Sequence, residues 1–258
     1  MPESSYGGDP LTPSEREALE DDLISFSERE LDLLGDLSGL RVLYAGGASP
    51  LWLEGLSQRI GEGGSLTALE ADAERVREGP EALGDASLAA PVCLVTGDVF
   101  EPPFEPRAFD LVYSAGLFHE LDVRERAAGD ALAALISVVK HGGRVVTSDF
   151  VDCVPAVQLE DEELQADLAR ELSGVLLYGI GPPERLVGLH EALLDGVRWR
   201  VSPPHQVRHL DRLVLAEEEP AGARGRLRQR REALRERVRR EGYTRPATLY
   251  VEGLVPGG

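Results

Sequence analysis

Residues 40–50 read LRVLYAGGASP, an apolar, β-rich run that ends in two adjacent glycines and a proline. Arg41 to Ala45 suits a buried strand, and Gly46-Gly47 suits the turn out of it, because glycine permits tight turns and close approach of backbone to a ligand. Pro50 fits the first position of a following helix, where its missing amide costs nothing. The glycines do not keep the G-x-G-x-x-G spacing of a dinucleotide turn, since Ala48 and Pro50 stand where further glycines belong. A strand, a glycine turn and a helix start remain, which is how a nucleotide-type α/β unit opens.

Downstream the rhythm repeats. Short β-rich runs at Ser65–Glu70, Pro91–Thr96, Phe109–Ser114 and Gly143–Asp149 alternate with helical stretches near 50–61, 72–79 and 123–140. This alternation predicts a doubly wound, mostly parallel α/β sheet with helices on both faces. Upstream, Ser14-x-x-Glu17 and Ser27-x-x-Glu30 are capping-box patterns and predict two helices, from Glu15 and from Glu28, stopping near Gly35 and Gly39. After Asp149 a polar helix at 158–173, a helix at 183–195 and a strand at Val197–Ser202 are expected. Arg212–Ala216 and Ala247–Val255 both qualify as the last strand, and the sequence does not choose between them. The expected organisation is an N-terminal arm and helical lid at 1–36 and an α/β domain at 37–258, with a helical insertion at 153–182 and an Arg-rich helix at 222–241.

Composition limits the function. The chain has 258 residues, 42% of them hydrophobic, enough for one large core or two small ones. Its net charge of −19 repels a phosphate backbone at long range, so nucleic acid is disfavoured as a partner. The arginines of 222–241 accompany a stripe of Ala223, Leu227, Leu234 and Val238, the pattern of a solvated helix packed on the body. No apolar run approaches the ~20 residues of a membrane span, and no basic-then-apolar leader follows Met1, so a cytoplasmic protein without membrane contact is expected. Cys93 and Cys153 form no C-x-x-C and read as buried fillers. Pro203-Pro204 before His205-x-x-x-His209, with no third ligand in view, argues against a metal site.

The chemistry of a doubly wound sheet sits at the carboxyl ends of its strands. There stand Gly46-Gly47-Ala48 after the first strand, Glu70 and Ala71 after the second, Asp98 and Val99 after the third, and FDLVYSAGLFHEL around Ser114 and Ala115 on the fourth. Glu70 is placed to accept both hydroxyls of a ribose. Asp98 is placed to accept an adenine amino proton, with Val99 and Phe100 beside the ring. Each acid also reads as an ordinary helix or turn cap.

Taken in order, these segments resemble the class I S-adenosylmethionine-dependent methyltransferases, most closely the small-molecule branch that includes the ubiquinone and menaquinone biosynthesis type. The resemblance spans Leu40 to Asp149, ends that span with KHGGRVVTSDF, and continues faintly through PPERLVGLHEALLDGVRWRV. It implies a seven-stranded Rossmann-like methyltransferase fold and S-adenosylmethionine as cofactor. By residue it implies donor contacts from Tyr44, Gly46, Gly47, Ala48, Glu70, Ala71, Asp98, Val99, Ser114 and Ala115. Ala115 through His119 match the segment that faces the methyl donor. Tyr44 departs from the pattern, standing where the family usually carries an acid.

Methyl transfer asks the protein mainly for alignment and exclusion of water, with a base only for a protonated nucleophile. His119 is the candidate base. The expected acceptor is a small molecule of unspecified reacting atom, and a homodimer is left open. Tyr6, Phe26, Phe150, Leu176, Leu177 and Tyr178 are candidates for lid or pocket residues. Two other classes stay in view: aminocarboxypropyl transfer from the same donor, and a non-catalytic binding or dimerisation module. An NAD-dependent oxidoreductase is disfavoured by the missing third glycine.

Overall fold

A computed structural model describes residues 11–84, 88–216 and 225–257. Tyr6, Ala223, Arg224 and most of the expected arm lie outside the described residues. The first helix, α1 (Pro13–Asp32), is opened by Thr12, whose side chain accepts from the Glu15 amide while the Glu15 carboxylate accepts from the Thr12 amide at 2.8 Å. The two helices expected from Glu15 and Glu28 are therefore one. Residues 14–34 contain no glycine or proline, so nothing stops the first helix before the second capping pattern. Ser27 instead donates to the Ile24 carbonyl inside the helix, at 2.9 Å.

The α/β repeat then follows as β1 (Arg41–Ala45), α2 (Pro50–Ile60), β2 (Ser65–Glu70), α3 (Ala73–Leu83), β3 (Val92–Thr96) and β4 (Phe109–Ala115). A short 3₁₀ turn at Phe118–Glu120 leads to α4 (Ala128–Ser137) and β5 (Val139–Val151). The C-terminal part adds α5 (Val157–Ser173), α6 (Pro183–Glu191), β6 (Asp195–Ser202), α7 (Leu210–Ala216), α8 (Gly225–Glu241) and β7 (Ala247–Leu254). The choice between late strands is settled: Ala247–Leu254 is the last strand, and residues 212–216 are helical.

The strands form one seven-stranded sheet in the order β3-β2-β1-β4-β5-β7-β6. β1 to β5 pair in parallel, and β7 enters antiparallel between β5 and β6. Alternation along β1 sends Leu43 and Ala45 into one core layer, with Val112, Leu132 and Leu249, and Val42 and Tyr44 into the other, with Leu53, Leu56 and Tyr113. Each fully buried leucine of these layers contributes roughly 1.5–3 kcal/mol. A third cluster joins α5 to α8 through Leu164, Leu168, Leu227, Leu234 and Val238, so the apolar stripe of the Arg-rich helix is buried as expected.

Cys93 and Cys153 are both exposed, not buried fillers. β3 is the outer edge of the sheet and alternates half-buried with exposed positions, while Cys153 lies in the turn after β5. No described helix is long and apolar enough to cross a membrane.

Candidate functional site

The strand order reverses between β1 and β4, and the crevice opens at their carboxyl ends. Two cavities occupy it, one of about 670 Å³ and one of about 480 Å³. Gly46 and Glu120 line both.

The smaller cavity brings together Glu70 and Ala71 at the carboxyl end of β2 with Asp98, Val99 and Phe100 after β3. Glu70 is 8% exposed; one carboxylate oxygen accepts the Asp72 amide at 3.0 Å, and the other has only Arg75, 3.9 Å away. That second oxygen is left for a ligand. Asp98 accepts the Phe100 amide at 2.9 Å and the Arg126 guanidinium at 2.5 Å. Burial opposes its ionisation, but the Phe100 amide and the bond and charge of Arg126 together hold the carboxyl below its usual range. Arg126 also lies over the Phe100 ring, 4.0 Å from its centre. Arg126 therefore belongs to this subsite, although RERAAG around it carries no motif.

At the junction, Gly46 has φ +88°, and a Cβ there would lie 2.5 Å from Leu117 Cδ1. A Cβ on Gly47 would lie 3.1 Å from the Tyr44 ring. Gly46 is thus required by its backbone as well as by packing, while a side chain at Gly47 would press on the Tyr44 ring. Their amides donate to the Leu69 carbonyl, at 2.9 and 3.2 Å, so the turn offers small surface and not a row of free donors. Ala48 and Ala115 line the larger cavity. Ser114 does not reach either one: it is 1% exposed and donates to Thr147 at 3.3 Å, because alternation along β4 turns it into the sheet layer. Tyr44 does reach the larger cavity while remaining 2% exposed, packed against Trp52 and Tyr113. Burial, and then the nearby Glu70 and Glu120 charges, push its phenol well above the usual range.

His119 lines the larger cavity beside Asp149, near the carboxyl end of β5. Its Nδ1–H donates to Asp149 Oδ1 at 2.6 Å, and Asp149 Oδ2 accepts the amides of Phe118 and His119 at 2.7 and 3.2 Å. A carboxylate only accepts, so Nδ1 carries the proton and Nε2 is the nitrogen left to act. Glu120 lies 3.8 Å from Nε2, beyond a hydrogen bond. Burial disfavours a charged imidazole here, but the charge and hydrogen bond of Asp149, with Glu162 and Glu120 behind it, outweigh that and push His119 up to about 9.

Several lining residues were not legible in the sequence. Asp149 is a strand-end acid like Glu70 and Asp98 and answers to the same rule. Trp52, Gln158, Glu162 and Arg245 come from helices and from a chain segment far away in sequence, and only the packing brings them together. Of the lid candidates, Phe26 and Phe150 line the larger cavity. Leu176 is 44% exposed, and Tyr178 stacks on Arg185 instead. His205 is held by Arg29 and stacked on Phe26, while His190 is buried, bonded to Leu186 O and Thr147. Among the described residues no three His, Cys, Asp or Glu side chains are grouped to hold a metal ion.

Comparison with known proteins returns one family model, "Methyltransferase domain", over residues 42–143. The ubiquinone/menaquinone biosynthesis C-methyltransferase UbiE of Azotobacter vinelandii is 31% identical over 121 residues, 46% of each chain. That of Idiomarina loihiensis is 29% identical over 142 residues, 52% of this chain and 55% of the other. The chain thus spans about half the length of the curated relatives it matches. Among solved structures, a SAM-dependent methyltransferase from Aquifex aeolicus superposes with a TM-score of 0.56 at 18% identity, over 95% of this chain and all of that one. A geranyl diphosphate methyltransferase in complex with SAM gives 0.56 at 15%, over 98% and 95%. The seven-stranded sheet is the Rossmann-like methyltransferase fold.

Proposed function

We propose that this chain, whose residues 42–143 match a methyltransferase domain, transfers a methyl group from S-adenosylmethionine to a small-molecule acceptor. The observation that carries this is the pair of cavities meeting at Gly46 and Glu120, one suited to an adenosine and one to an acceptor. Glu70, with one carboxylate oxygen uncommitted, fits the ribose hydroxyls, and Asp98 with Val99 and Phe100 fits the adenine. Tyr44, Gly47, Ala48 and Ala115 fit the rest of the donor by size.

When bound, the cofactor supplies a methyl group already activated by its sulfonium. Glu70, Asp98 and Glu120 make the crevice acidic, which favours a sulfonium cation and disfavours a pyrophosphate. Because the Gly46 and Gly47 amides are committed to Leu69, the turn has little to offer a dinucleotide phosphate. His119, its Nδ1 pinned by Asp149, presents Nε2 to the acceptor cavity. Pushed up to about 9, the ring is charged at neutral pH and takes the proton of an attacking group only from its neutral form, so methylation of a protonated nucleophile should rise with pH toward about 9. The helical segments α1 and α5, in the expected lid and insertion, supply Phe26, Gln158 and Glu162 to the acceptor side and exclude water.

Titration calorimetry with S-adenosylmethionine, S-adenosylhomocysteine and NAD tests this. Saturable binding of the first two and none of NAD is expected. Failure of both sulfur nucleosides to bind at ~1 mM, a threshold of ~4 kcal/mol, would overturn it.

A further inference from the structure

Arg245 lines the larger cavity from the segment that leads into β7, a position at the acceptor end of the crevice. The preceding residue is fixed from two sides: the Gln158 amide donates to the Thr244 carbonyl at 3.2 Å, and Thr244 bridges to Gln206. Pro246 follows directly and holds φ. The guanidinium lies 4.6 Å from the centre of the Phe26 ring and 5.0 Å from that of Phe150.

Its Nε is buried and has no hydrogen-bond partner. The other charged groups lining this cavity are engaged: Asp149 by His119, Glu162 by Gln158, Glu120 by the His119 charge, Glu78 by Arg77 and Arg75 by Asp72. Glu30, close behind, accepts from Ser148. Among the described residues that line the cavity, Arg245 alone carries a full charge with no hydrogen bond or ion pair. Arg245 is half-buried with its Nε closed off from solvent, and leaving such a donor unpartnered costs free energy, so the position is fitted for a partner from outside the chain. Burial is also what lowers the pKa of this guanidinium, only partly offset by Tyr243, Glu162 and Glu30.

We propose that Arg245 anchors a carboxylate on the methyl acceptor, whose apolar body lies along Phe26, Trp52 and Phe150. This rests on the methyltransferase function proposed above and names its substrate class, an apolar monocarboxylate. A single guanidinium flanked by acids matches one negative charge, whereas a dianionic phosphate meets repulsion from Glu162 and Glu30. Phe150 is shared: its ring centre is 5.3 Å from that of His119 and 5.0 Å from the Arg245 guanidinium. A carboxylate held on Arg245 therefore lays the rest of the molecule across Phe150 toward His119 Nε2. Gln158 Oε1, buried and also without a partner, remains to accept an O–H or N–H from the same molecule.

The probe is phenylacetate, followed by the fluorescence of Trp52 in a Trp199→Phe background; Trp199 is 48% exposed on β6, and no other tryptophan competes. Phenylacetamide and phenyl phosphate serve as the neutral and dianionic arms. Saturable quenching is expected from phenylacetate, with each other compound weaker by about tenfold or more. Arg245→Met should erase the preference over phenylacetamide, and Arg245→Lys should keep part of it. In both variants S-adenosylhomocysteine affinity by calorimetry should stay within about threefold of the parent, which also shows that the fold is intact. Equal affinity for phenylacetate and phenylacetamide, tighter binding of phenyl phosphate, an unchanged preference in Arg245→Met, or no saturation by ~20 mM phenylacetate overturns the proposal. Failure of the probe arms with S-adenosylhomocysteine still bound sinks this inference alone. Arg245-dependent phenylacetate binding without any S-adenosylhomocysteine binding sinks the methyltransferase function instead.

Discussion

His119 Nδ1 lies 2.6 Å from Asp149 Oδ1, and the opposite oxygen of the same carboxylate accepts the backbone amide of His119 at 3.2 Å. One carboxylate thus fixes the imidazole's orientation, its tautomer and the turn that carries it. Its most direct consequence is in pH. The folded-state pKa of His119 is raised, to about 9, above an unfolded value of about 6.5. The stability it contributes is therefore fully present below pH ~6.5 and is lost as pH rises through ~9. Asp149→Asn should return the His119 titration, followed by proton NMR of the ring, toward or below ~6.5 and remove on the order of 2–3 kcal/mol at neutral pH. A His119 titration that stays near 9 in the variant contradicts this.

Glu70→Ala should weaken binding of S-adenosylhomocysteine by ~1.5–3 kcal/mol, the range for hydrogen bonds to a charged group. The Asp72 amide that Glu70 also holds can turn to water, so the melting temperature should move little. Calorimetry alongside thermal unfolding separates the two effects, and unchanged affinity in a folded variant removes Glu70 from the donor site.

Asp98→Asn keeps an acceptor for the Phe100 amide but loses the charge facing Arg126. Donor affinity should fall moderately, by ~1–2 kcal/mol, with the fold unchanged. A crystal structure of the donor complex with adenine away from residue 98 would count against the assignment.

Tyr44→Asp places an acid where the methyltransferases this segment resembles usually carry one, but Tyr44 is 2% exposed between Trp52 and Tyr113. Placing an unpaired carboxylate there should cost several kcal/mol, while Tyr44→Phe should stay within about 1 kcal/mol. Urea unfolding of the two variants decides it: equal stability would mean that the side chain faces water and not the core.

Glu30 is buried on α1 and accepts from Ser148 on β5. Burial raises its carboxyl pKa, offset only in part by the Ser148 bond and nearby arginines. The stability it lends is fully present below its unfolded pKa of about 4.3 and is lost as pH rises from there through its raised folded pKa. Glu30→Gln should accordingly be more stable than the parent at pH 7.5, with the gain shrinking toward pH 4. Chemical denaturation at both pH values measures the difference, and a destabilised variant at pH 7.5 rules it out.

The sheet was legible because its signal is local. Strand runs at 41–45, 65–70 and 92–96 are set by apolar patterning between glycine and proline breaks, and Glu70, Asp98 and His119 follow at strand ends by a fixed rule of α/β folds. The same locality misled where two patterns competed. A second capping box at Ser27 lost to uninterrupted helix propagation, Cys93 lay on a strand whose edge position no local pattern reveals, and Ser114 fell on the inward side of its strand. What only the tertiary structure decided is the acceptor side. Arg245 reaches the crevice because β7 runs antiparallel beside β5, which brings the start of one strand to the end of the other, about a hundred residues earlier in the chain. Phe26, Trp52 and Gln158 meet it there from three helices. No periodicity encodes those meetings, since they depend on strand order and helix docking, which arise from the burial of whole faces and not from neighbours in sequence.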